Sequence, residues 1–438
     1  MESTKYKRKQ EERRLRSLAR IVLAACVSIA CIMLGAISIK LFSSGILFKG
    51  VENVSAEVEK VKVHIPDLTG EMTQSLLDAG FNLFQSSIQK EENSLLAPYT
   101  TLTALGMLEN GAASETLDEI QSFLGGYSLS EINSAFAALN KKFSGYTGLT
   151  CTSKNSIWLK RFETLIPKDY FLKVNATYYG ADLFVADFSK DNTVNKINEW
   201  VKEATMGNVV SPIKSIEDAT SIYLLSSLNF KADWLKPYES SDVLGGEFKL
   251  TNGEKQSVKY LYSKENYLEG DKAEGFIKSY VDNKCSFVAI RPTDGTSIYD
   301  YVKSLDSESF KKVIHSKSTQ KAIVAFPKFT YESDVDLSMS LKALGIETPF
   351  DEENADFSKV FDEEKKLYLS QVLQRNYIQI DEKGTSSAAT NTSQVNAVTA
   401  IEEGTEKSII FNSPFLYAVI DNETKLPLLI GIVEKPIA

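Results

Sequence analysis

Residues 381–390 read Asp-Glu-Lys-Gly-Thr-Ser-Ser-Ala-Ala-Thr and open a long polar tract between two apolar segments. Before the tract, residues 367–380 are rich in β-branched, aromatic and leucine side chains, and Tyr377–Ile380 is typical of a buried strand. After it, residues 408–420 again have the composition of a strand. From Gly384 to Thr399, nearly every side chain is Ser, Thr, Ala, Asn, Gln or Val.

The composition of this tract alone fits a polar linker between two strands. Two features favour another interpretation. A loop of roughly thirty residues inside a compact domain is uncommon, and such loops are usually functional or disordered. The tract also has no proline between Phe350 and Pro414, and none of its side chains from Gly384 to Thr399 is too large to bury. We therefore expect a segment that is solvated in one state and forms a sheet strand in another.

The stretch Glu382–Thr390 resembles the reactive-loop hinge of the serpins, in which a glutamate, a basic residue, Gly and Thr precede a run of small residues. Phe411–Leu416 is similar to the serpin motif that follows the loop. Other segments resemble serpin motifs in the same order along the chain, namely Asn93–Ala112, Ile197–Val201, Leu224–Trp234, Pro327–Phe329, Leu344–Ile346 and Ala355–Phe357. The resemblance covers about residues 70–438.

This resemblance implies an α+β fold with one large mixed central β-sheet, two smaller sheets, about eight to nine helices and an exposed reactive loop at about 382–408. It implies an inhibitor rather than an enzyme. A serine (or cysteine) endopeptidase would cut the loop and be trapped as a covalent complex, while the cut loop inserts into the main sheet. A monomer without a cofactor is expected.

A non-inhibitory serpin that acts as a surface binding protein is the alternative. Such members tend to carry bulky or charged residues or proline in the hinge, and this chain has none there after Lys383.

The resemblance assigns the hinge to small residues whose side chains alternate between the two faces of an inserted strand. If Thr385 points inward, then Asn391 does too, and Asn391 needs a polar partner there. Gly384 is expected to give the hinge backbone its conformational freedom. The predicted hinge residues are Glu382, Gly384, Thr385, Ser387, Ala388 and Ala389.

Family spacing from Glu382 places the reactive bond between Val398 and Thr399. Counting back from Pro414 instead gives a position between Ala400 and Glu403, so the bond is expected within residues 397–403. A small apolar residue at the cut suits elastase-like or subtilisin-like proteases. A cut after one of the glutamates at positions 402 and 403 would instead suggest a glutamate-specific protease.

The chain departs from the family at positions that form a hydrogen-bonded cluster where the main sheet opens. It has Ala97 and Thr100 where the family usually has serines, Ser226 in place of an asparagine, and Gln374 in place of a frequent histidine. Thr100, Ser226 and Gln374 each keep a donor and an acceptor, so they could rebuild the network with different atoms. We assign them, with Trp234, to a predicted sheet-opening cluster. The alternative is that the three residues are simply buried polar side chains whose hydrogen bonds are satisfied.

The amino-terminal part predicts a membrane anchor. Residues 1–20 hold eight basic and three acidic side chains and read as a cytoplasmic head. Residues 21–40 read as a transmembrane signal anchor, because Ile21–Ile39 lacks any charge and would span roughly 28 Å as a helix. Residues 41–69 read as a stalk with little fixed structure. The body would then face outward; the alternative is secretion after signal cleavage.

The remaining composition argues against other classes of function. The net charge of the chain is −9, and the first twenty residues contribute +5, so the rest carries −14. Such an acidic body is unfavourable for a nucleic-acid partner.

A Ser-His-Asp hydrolase would have to use His315, since the other histidine, His64, lies in the predicted stalk. Cys151 and Cys285 are expected as buried free thiols, and no spacing of residues suggests a metal site.

Overall fold

The structure is a computed structural model that describes residues 50–163, 165–209, 211–316, 320–386 and 407–437. Within these residues, all helices and strands belong to one compact unit, which comprises residues 51–160 and 166–438. Residues 1–50 and 161–165 form a second unit, whose described residues contain neither helix nor strand.

Nine α-helices lie in the described residues, and several begin at the capping signals that the sequence provides. Thr69 accepts a hydrogen bond from the backbone N–H of Met72 at the start of the first helix, and Ser128 and Glu131 form a reciprocal capping box at the fourth. Pro98 opens the second helix, where its missing N–H costs nothing. The helices are α1 Gly70–Ser87, α2 Pro98–Glu109, α3 Ser114–Phe123, α4 Leu129–Ser144, α5 Asp169–Val174, α6 Asp191–Ala204, α7 Ile298–Ser304, α8 Ser307–His315 and α9 Ser338–Ala343.

Sixteen strands complete the described part of the fold. They are β1 Val51–Asn53, β2 Ser94–Leu96, β3 Leu149–Lys160, β4 Asp182–Ala186, β5 Ile222–Asp233, β6 Val243–Lys249, β7 Lys255–Gly270, β8 Ala273–Ser279, β9 Cys285–Pro292, β10 Lys321–Pro327, β11 Phe329–Asp336, β12 Leu369–Ile380, β13 Gly384–Ser386, β14 Ser408–Ile410, β15 Phe415–Asp421 and β16 Pro427–Val433.

The strands form two sheets. The first has seven strands in the order β1-β4-β3-β5-β13-β12-β11 and is mixed, because β3 and β4, and also β5 and β12, run parallel. The second follows the path β14-β10-β7-β8-β9-β15-β16-β2, with β6 paired to β7. The predicted α+β fold, with a large mixed sheet and about eight to nine helices, is confirmed in the described part of the chain. The strands expected in two smaller sheets are joined here in one nine-stranded sheet.

Strand β5 lies in the middle of the seven-stranded sheet and is buried on both faces. One face carries Tyr223 and Leu225, which pack with Trp158 of β3 and with Ile197 and Trp200 of α6. The other face lies toward α2. A strand covered on both faces needs a near-continuous apolar run, and residues 221–230 have such a run.

The segment before α1 has more structure than the sequence predicted for a stalk. Val51–Asn53 forms the edge strand β1, which pairs antiparallel with Phe184–Ala186 of β4. Ser55 accepts a hydrogen bond from the backbone N–H of Leu183, which fastens the end of this strand. A short edge strand of this kind covers the backbone groups that β4 would otherwise expose.

The prediction of a single-pass membrane protein is corrected. No helix among the described residues is long and apolar enough to cross a membrane. The predicted head, residues 1–20, and the predicted span, residues 21–40, lie outside the described residues.

The two cysteines of the body are free and buried, as predicted. Cys151 lies in β3 and Cys285 begins β9. Burial raises the pKa of both thiols, and that of Cys285 reaches about 12. Both thiols therefore stay protonated at neutral pH and are poor nucleophiles.

Glu109, the last residue of α2, is a buried acid that the sequence did not reveal. Its side chain is fully buried, and neither carboxylate oxygen has a hydrogen-bond partner among the described residues. It also lies at the carboxyl end of a helix, where negative charge is unfavourable. Burial raises the pKa of this carboxyl to about 7, although the nearby side chain of Gln121 and the positive charge of Lys359 oppose the shift.

This raised pKa predicts that the protein loses stability as the pH rises. The folded state keeps a proton on Glu109 up to about pH 7, whereas the unfolded chain releases it near pH 4.5. The stabilising contribution is therefore present below pH 4.5 and is lost as the pH rises through 7. Denaturant melts at pH 5 and pH 8 should show that Glu109→Gln gains about 2 kcal/mol relative to the parent at the higher pH. An equal difference between parent and variant at both pH values would contradict this prediction.

Candidate functional site

Two residues of the predicted hinge, Gly384 and Thr385, lie in the seven-stranded sheet. Gly384–Ser386 is strand β13, which lies between β5 and β12. On one side Thr385 pairs antiparallel with Ala232, and on the other it pairs with Ile380. Three residues of the polar tract therefore occupy a strand position between two strands that are themselves parallel neighbours further along.

Thr385 is buried within this sheet rather than solvated. It is 1% exposed, and its hydroxyl shares a hydrogen bond with the hydroxyl of Tyr280. Burial raises the pKa of Tyr280 well above its usual value, so the phenol keeps its proton for this bond. Trp234 stacks on the Tyr280 ring, with the ring centroids 4.6 Å apart and the planes 7° from parallel. Strand alternation allows Thr385 to point inward or outward, and in this structure it points inward.

Trp234 and the residues after it hold the backbone that leads into the hinge. The backbone N–H of Trp234 donates to the carbonyl of Lys383 over 2.7 Å, and its indole N–H donates to the carbonyl of Asp381 over 2.9 Å. The backbone N–H of Tyr238 donates to the carbonyl of Glu382 over 2.9 Å. The three consecutive carbonyls just before β13 thus have fixed partners.

Charged groups fix the side chains around the same position. Lys328 donates to both carboxylate oxygens of Glu382, over 2.6 and 2.8 Å. Lys278 is 4% exposed, forms an ion pair with Glu265 at 2.6 Å, and its ammonium lies 5.6 Å from the centre of the Trp234 ring. A cation at this distance attracts the face of the indole and supports its orientation.

Gly384 is required by close packing, which differs from the expected reason. The residue does not have a positive φ, so the backbone conformation is open to any residue. A Cβ atom at this position would instead lie 2.0 Å from the carbonyl oxygen of Ala232. Only glycine lets β13 approach β5 this closely.

The predicted sheet-opening residues Thr100 and Gln374 are brought together beneath the sheet. Gln374 on β12 is fully buried, and its amide group donates to the hydroxyls of Thr100 and Thr101 over 3.0 and 2.6 Å. It also donates to the carbonyl of Ala97 and accepts from the N–H of Ala97, so it ties β12 to the first turn of α2. Asn376 donates a further hydrogen bond to the Gln374 carbonyl oxygen over 2.6 Å.

The other two residues of the predicted cluster have different positions. Ser226 pairs with Gln374 in the register of β5 and β12, but its buried hydroxyl has no hydrogen-bond partner among the described residues. Trp234 lies at the hinge, as described above, and not beside Thr100. Its place in the cluster is therefore not supported by contact, although it directly follows β5, the strand that carries Ser226.

Two contributing residues were missed in the sequence. Thr101 follows Thr100 at the start of α2, and Asn376 lies two residues after Gln374, on the same face of β12. Asn376 also accepts a hydrogen bond from the backbone N–H of Leu228 on β5, over 3.0 Å. A second polar residue at an inward position of an apolar strand was the signal that could have identified it.

The rest of the predicted loop lies outside the described residues. This applies to Ser387, Ala388 and Ala389 of the hinge and to the predicted reactive bond between Val398 and Thr399. No group of three or more His, Cys, Asp or Glu residues that could hold a metal ion occurs in the described ranges.

The far end of the loop is anchored in the other sheet. Strand β14 pairs parallel with β10. Lys407, just before it, forms an ion pair with Glu274 at 3.3 Å and donates to the hydroxyl of Tyr267. Arg291 donates to Glu274 and also to the carbonyl of Ile410. The loop therefore connects the two sheets and is held at both ends by charged groups.

Known proteins resemble this chain in sequence and fold over most of its length. The family described as "Serpin (serine protease inhibitor)" matches residues 74–436. A leukocyte elastase inhibitor of Xenopus tropicalis is 26% identical over 372 residues, which is 81% of this chain and 97% of the relative. The native crystal structure of tengpin, a thermophilic serpin, is 33% identical, has a TM-score of 0.81, and is matched over 88% of this chain and 100% of its own.

A further solved structure shares the fold. Human thyroxine-binding globulin, crystallised in complex with its hormone, is 24% identical with a TM-score of 0.74 over 84% of this chain and 100% of its own. At this identity the likeness concerns the fold alone. The family match covers most of the chain, and the motifs of the hinge and of the segment after the loop lie within it. The chain therefore belongs to the serpin family.

Proposed function

We propose that this protein is a suicide-substrate inhibitor of serine endopeptidases, with elastase-like or subtilisin-like proteases as its preferred targets. The observation that carries the proposal is strand β13, in which the start of the polar tract already occupies a position between β5 and β12. A tract that begins as a sheet strand and continues with small side chains can extend that strand once its far end is released.

The proposed covalent step is an acyl transfer to the protease that stops at the ester intermediate. The protease serine attacks the carbonyl carbon of Val398, the bond to the nitrogen of Thr399 breaks, and the amine leaves with a proton from the protease histidine. The product is an ester between Val398 and the protease. Water would normally hydrolyse this ester and release both partners.

Insertion of the freed strand competes with that hydrolysis. The residues after Thr385 are Ser, Ser, Ala, Ala and Thr, whose burial needs neither a large cavity nor a charge partner. Their entry would pull the ester-linked protease along the sheet and disturb its catalytic geometry. A hinge with bulky or charged residues would slow this step, so the composition supports an inhibitor over a non-inhibitory binding protein.

The choice of target rests on the residues beside the proposed bond. Val398 is flanked by Ala397 and Thr399, which fits a protease whose specificity pocket accepts small apolar side chains. The relative from Xenopus tropicalis carries the name leukocyte elastase inhibitor. Both observations favour an elastase-like protease as the first one to test.

Mixing the protein with elastase or subtilisin should give an adduct that survives boiling in SDS. The expected band has the mass of the protease plus the inhibitor without its carboxy-terminal fragment. The mass of the released fragment should place the cut after Val398, or otherwise within residues 397–403. A protease whose serine is blocked should give no adduct and serves as the control.

Cleavage without any adduct, with every tested protease, would contradict the proposal. In that event stable but non-covalent capture of a ligand would favour the binding-protein alternative. Turnover of a small ester substrate by the protein alone would favour a hydrolase.

A further inference from the structure

Strand β14 is a short edge strand that its backbone alone would hold only weakly. It consists of Ser408–Ile410, and among the described strands it pairs only with β10. A ladder of three residues on one side of a strand offers few hydrogen bonds, and such edges open readily. The position of β14 therefore depends on the side chains that contact it.

One cross-strand ion pair of the body contacts both ends of β14. Glu274 on β8 and Arg291 on β9 are directly opposite in the antiparallel register. Arg291 donates to one oxygen of Glu274 from Nε over 3.1 Å and from Nη2 over 2.7 Å. Strands β8 and β9 are each paired on both sides within the nine-stranded sheet, so the ion pair does not depend on β14 for its position.

The remaining groups of this ion pair reach the two ends of β14. Nη1 of Arg291 donates to the carbonyl of Ile410, the last residue of the strand, over 3.1 Å. The second carboxylate oxygen of Glu274 lies 3.3 Å from the ammonium of Lys407, which directly precedes the strand. One ion pair of the body therefore fastens a three-residue strand at its beginning and at its end.

Tyr267 on β7 completes the binding position of Lys407. The ammonium lies 4.4 Å from the centre of the Tyr267 ring and donates to its hydroxyl over 2.8 Å. This hydrogen bond raises the pKa of Lys407, and Glu274 acts in the same direction. Tyr267 and Glu274 are 6% and 7% exposed, so the contact is stronger than an ion pair on the open surface.

We propose that Glu274 and Arg291 form a clamp that fixes the point at which the reactive loop enters the second sheet, and that both are positioning residues for attack by the protease. Release of the clamp would add residues 407–410 to the free part of the loop. A longer free loop spends a smaller fraction of time in any one conformation that a protease can bind. The role in protease attack rests on the proposed function, whereas the clamp itself does not.

Hydrogen exchange of the uncut protein tests the clamp without a protease. The backbone N–H of Phe411 donates to the carbonyl of Ala325 on β10 over 2.9 Å, so its exchange rate reports the opening of β14. Lys407→Met removes the charge and keeps an apolar stem against the Tyr267 ring. Exchange at Phe411 should become about tenfold faster in this variant. High salt should accelerate exchange in the parent but not in Lys407→Met.

A double-mutant cycle tests whether Lys407 acts through Glu274. Glu274→Gln should also accelerate exchange at Phe411, because it leaves two cations without the carboxylate that they share. Adding Lys407→Met to Glu274→Gln should then change the exchange rate by less than about twofold. Independent effects of the two substitutions would show that Glu274 does not hold Lys407, and would overturn the clamp.

Lys255→Met is the matched control. Lys255 forms an exposed ion pair with Glu247 between β6 and β7, two strands of the same sheet that do not pair with β14. Exchange at Phe411 should match the parent in this variant. Parental exchange in Lys407→Met, or an equal acceleration in Lys407→Met and Lys255→Met, would overturn the clamp.

Cleavage kinetics test the positioning role separately. The second-order rate constant for total loop cleavage by elastase or subtilisin, with adduct and cut product counted together, should be about fivefold lower in Lys407→Met. Cleavage at the parental rate or faster would overturn the positioning role. If the parent is cut without forming an adduct, the proposed function fails, but the exchange rates and the total cleavage rates still decide this inference.

Discussion

Replacing Thr385 with arginine is expected to convert the inhibitor into a substrate of its target protease. An arginine at position 385 of an inserted strand would lie without a charge partner on the buried face beside Tyr280, at a cost of several kcal/mol. Because residue 385 is part of β13, this penalty acts from the first step of insertion. The protease would then hydrolyse the ester before it is trapped, and SDS gels should show cut protein without an adduct.

The uncut variant should also be less stable than the parent, which differs from what the sequence predicted. The family resemblance implies an exposed loop before cleavage, and an added charge costs little on an exposed loop. The structure buries Thr385 in the uncut chain, so the variant must withdraw the hinge from the sheet. Losing the hydrogen bond to Tyr280 and the β13 pairing should cost about 1–2 kcal/mol in a denaturant melt.

Thr385→Ser is the control, because it keeps the hydroxyl that Tyr280 binds and adds no bulk. This variant should form the adduct at nearly the parental stoichiometry. If Thr385→Arg still traps protease as the parent does, then inhibition does not require residue 385 to enter the sheet.

Replacing Gln374 with leucine is expected to destabilise the uncut protein by about 3 kcal/mol or more. The substitution leaves the buried N–H of Ala97 and the side-chain amide of Asn376 without the acceptor that they use. It also removes the hydrogen bonds that join β12 to Thr101 and the first turn of α2. The midpoint of thermal or denaturant unfolding measures the loss.

Gln371→Leu is the matched control for this substitution. Gln371 lies on the same strand, and its amide donates to Asp336 at an exposed position. Its replacement should change stability by no more than about 0.5 kcal/mol. Equal losses in the two variants would show that Gln374 is not a special connection between β12 and α2.

The sequence predicted those strands in which the pattern of apolar residues follows directly from burial. The near-continuous apolar run of β5 and the strand ending at Ile380 both follow from the same rule, because each faces apolar neighbours on at least one side. The pairing of Thr100 with Gln374 followed from the resemblance, and the residue types were sufficient because each has a donor and an acceptor.

Other features depended on distances between segments that the sequence does not encode locally. The need for glycine at position 384 comes from the carbonyl of Ala232, which is far away along the chain. The hydrogen bond from the Trp234 indole to the carbonyl of Asp381 was not predicted for the same reason, because the sequence alone does not say which carbonyl the indole reaches. Strand β1 is only three residues long and gives no periodic signal.

Because the loop is anchored in two different sheets, the cut protein is a complex of two chains. Strands β14, β15 and β16 all follow the loop, and they pair with β10, β9 and β2 of the body. A single cut therefore leaves a short chain embedded in the sheet of a long one, which native gels should show as one species and denaturing gels as two. Once the two chains are separated by denaturant, they must meet by diffusion before they can fold again. Recovery of the cut protein should then fall on dilution, whereas refolding of the uncut chain should not depend on concentration in this way.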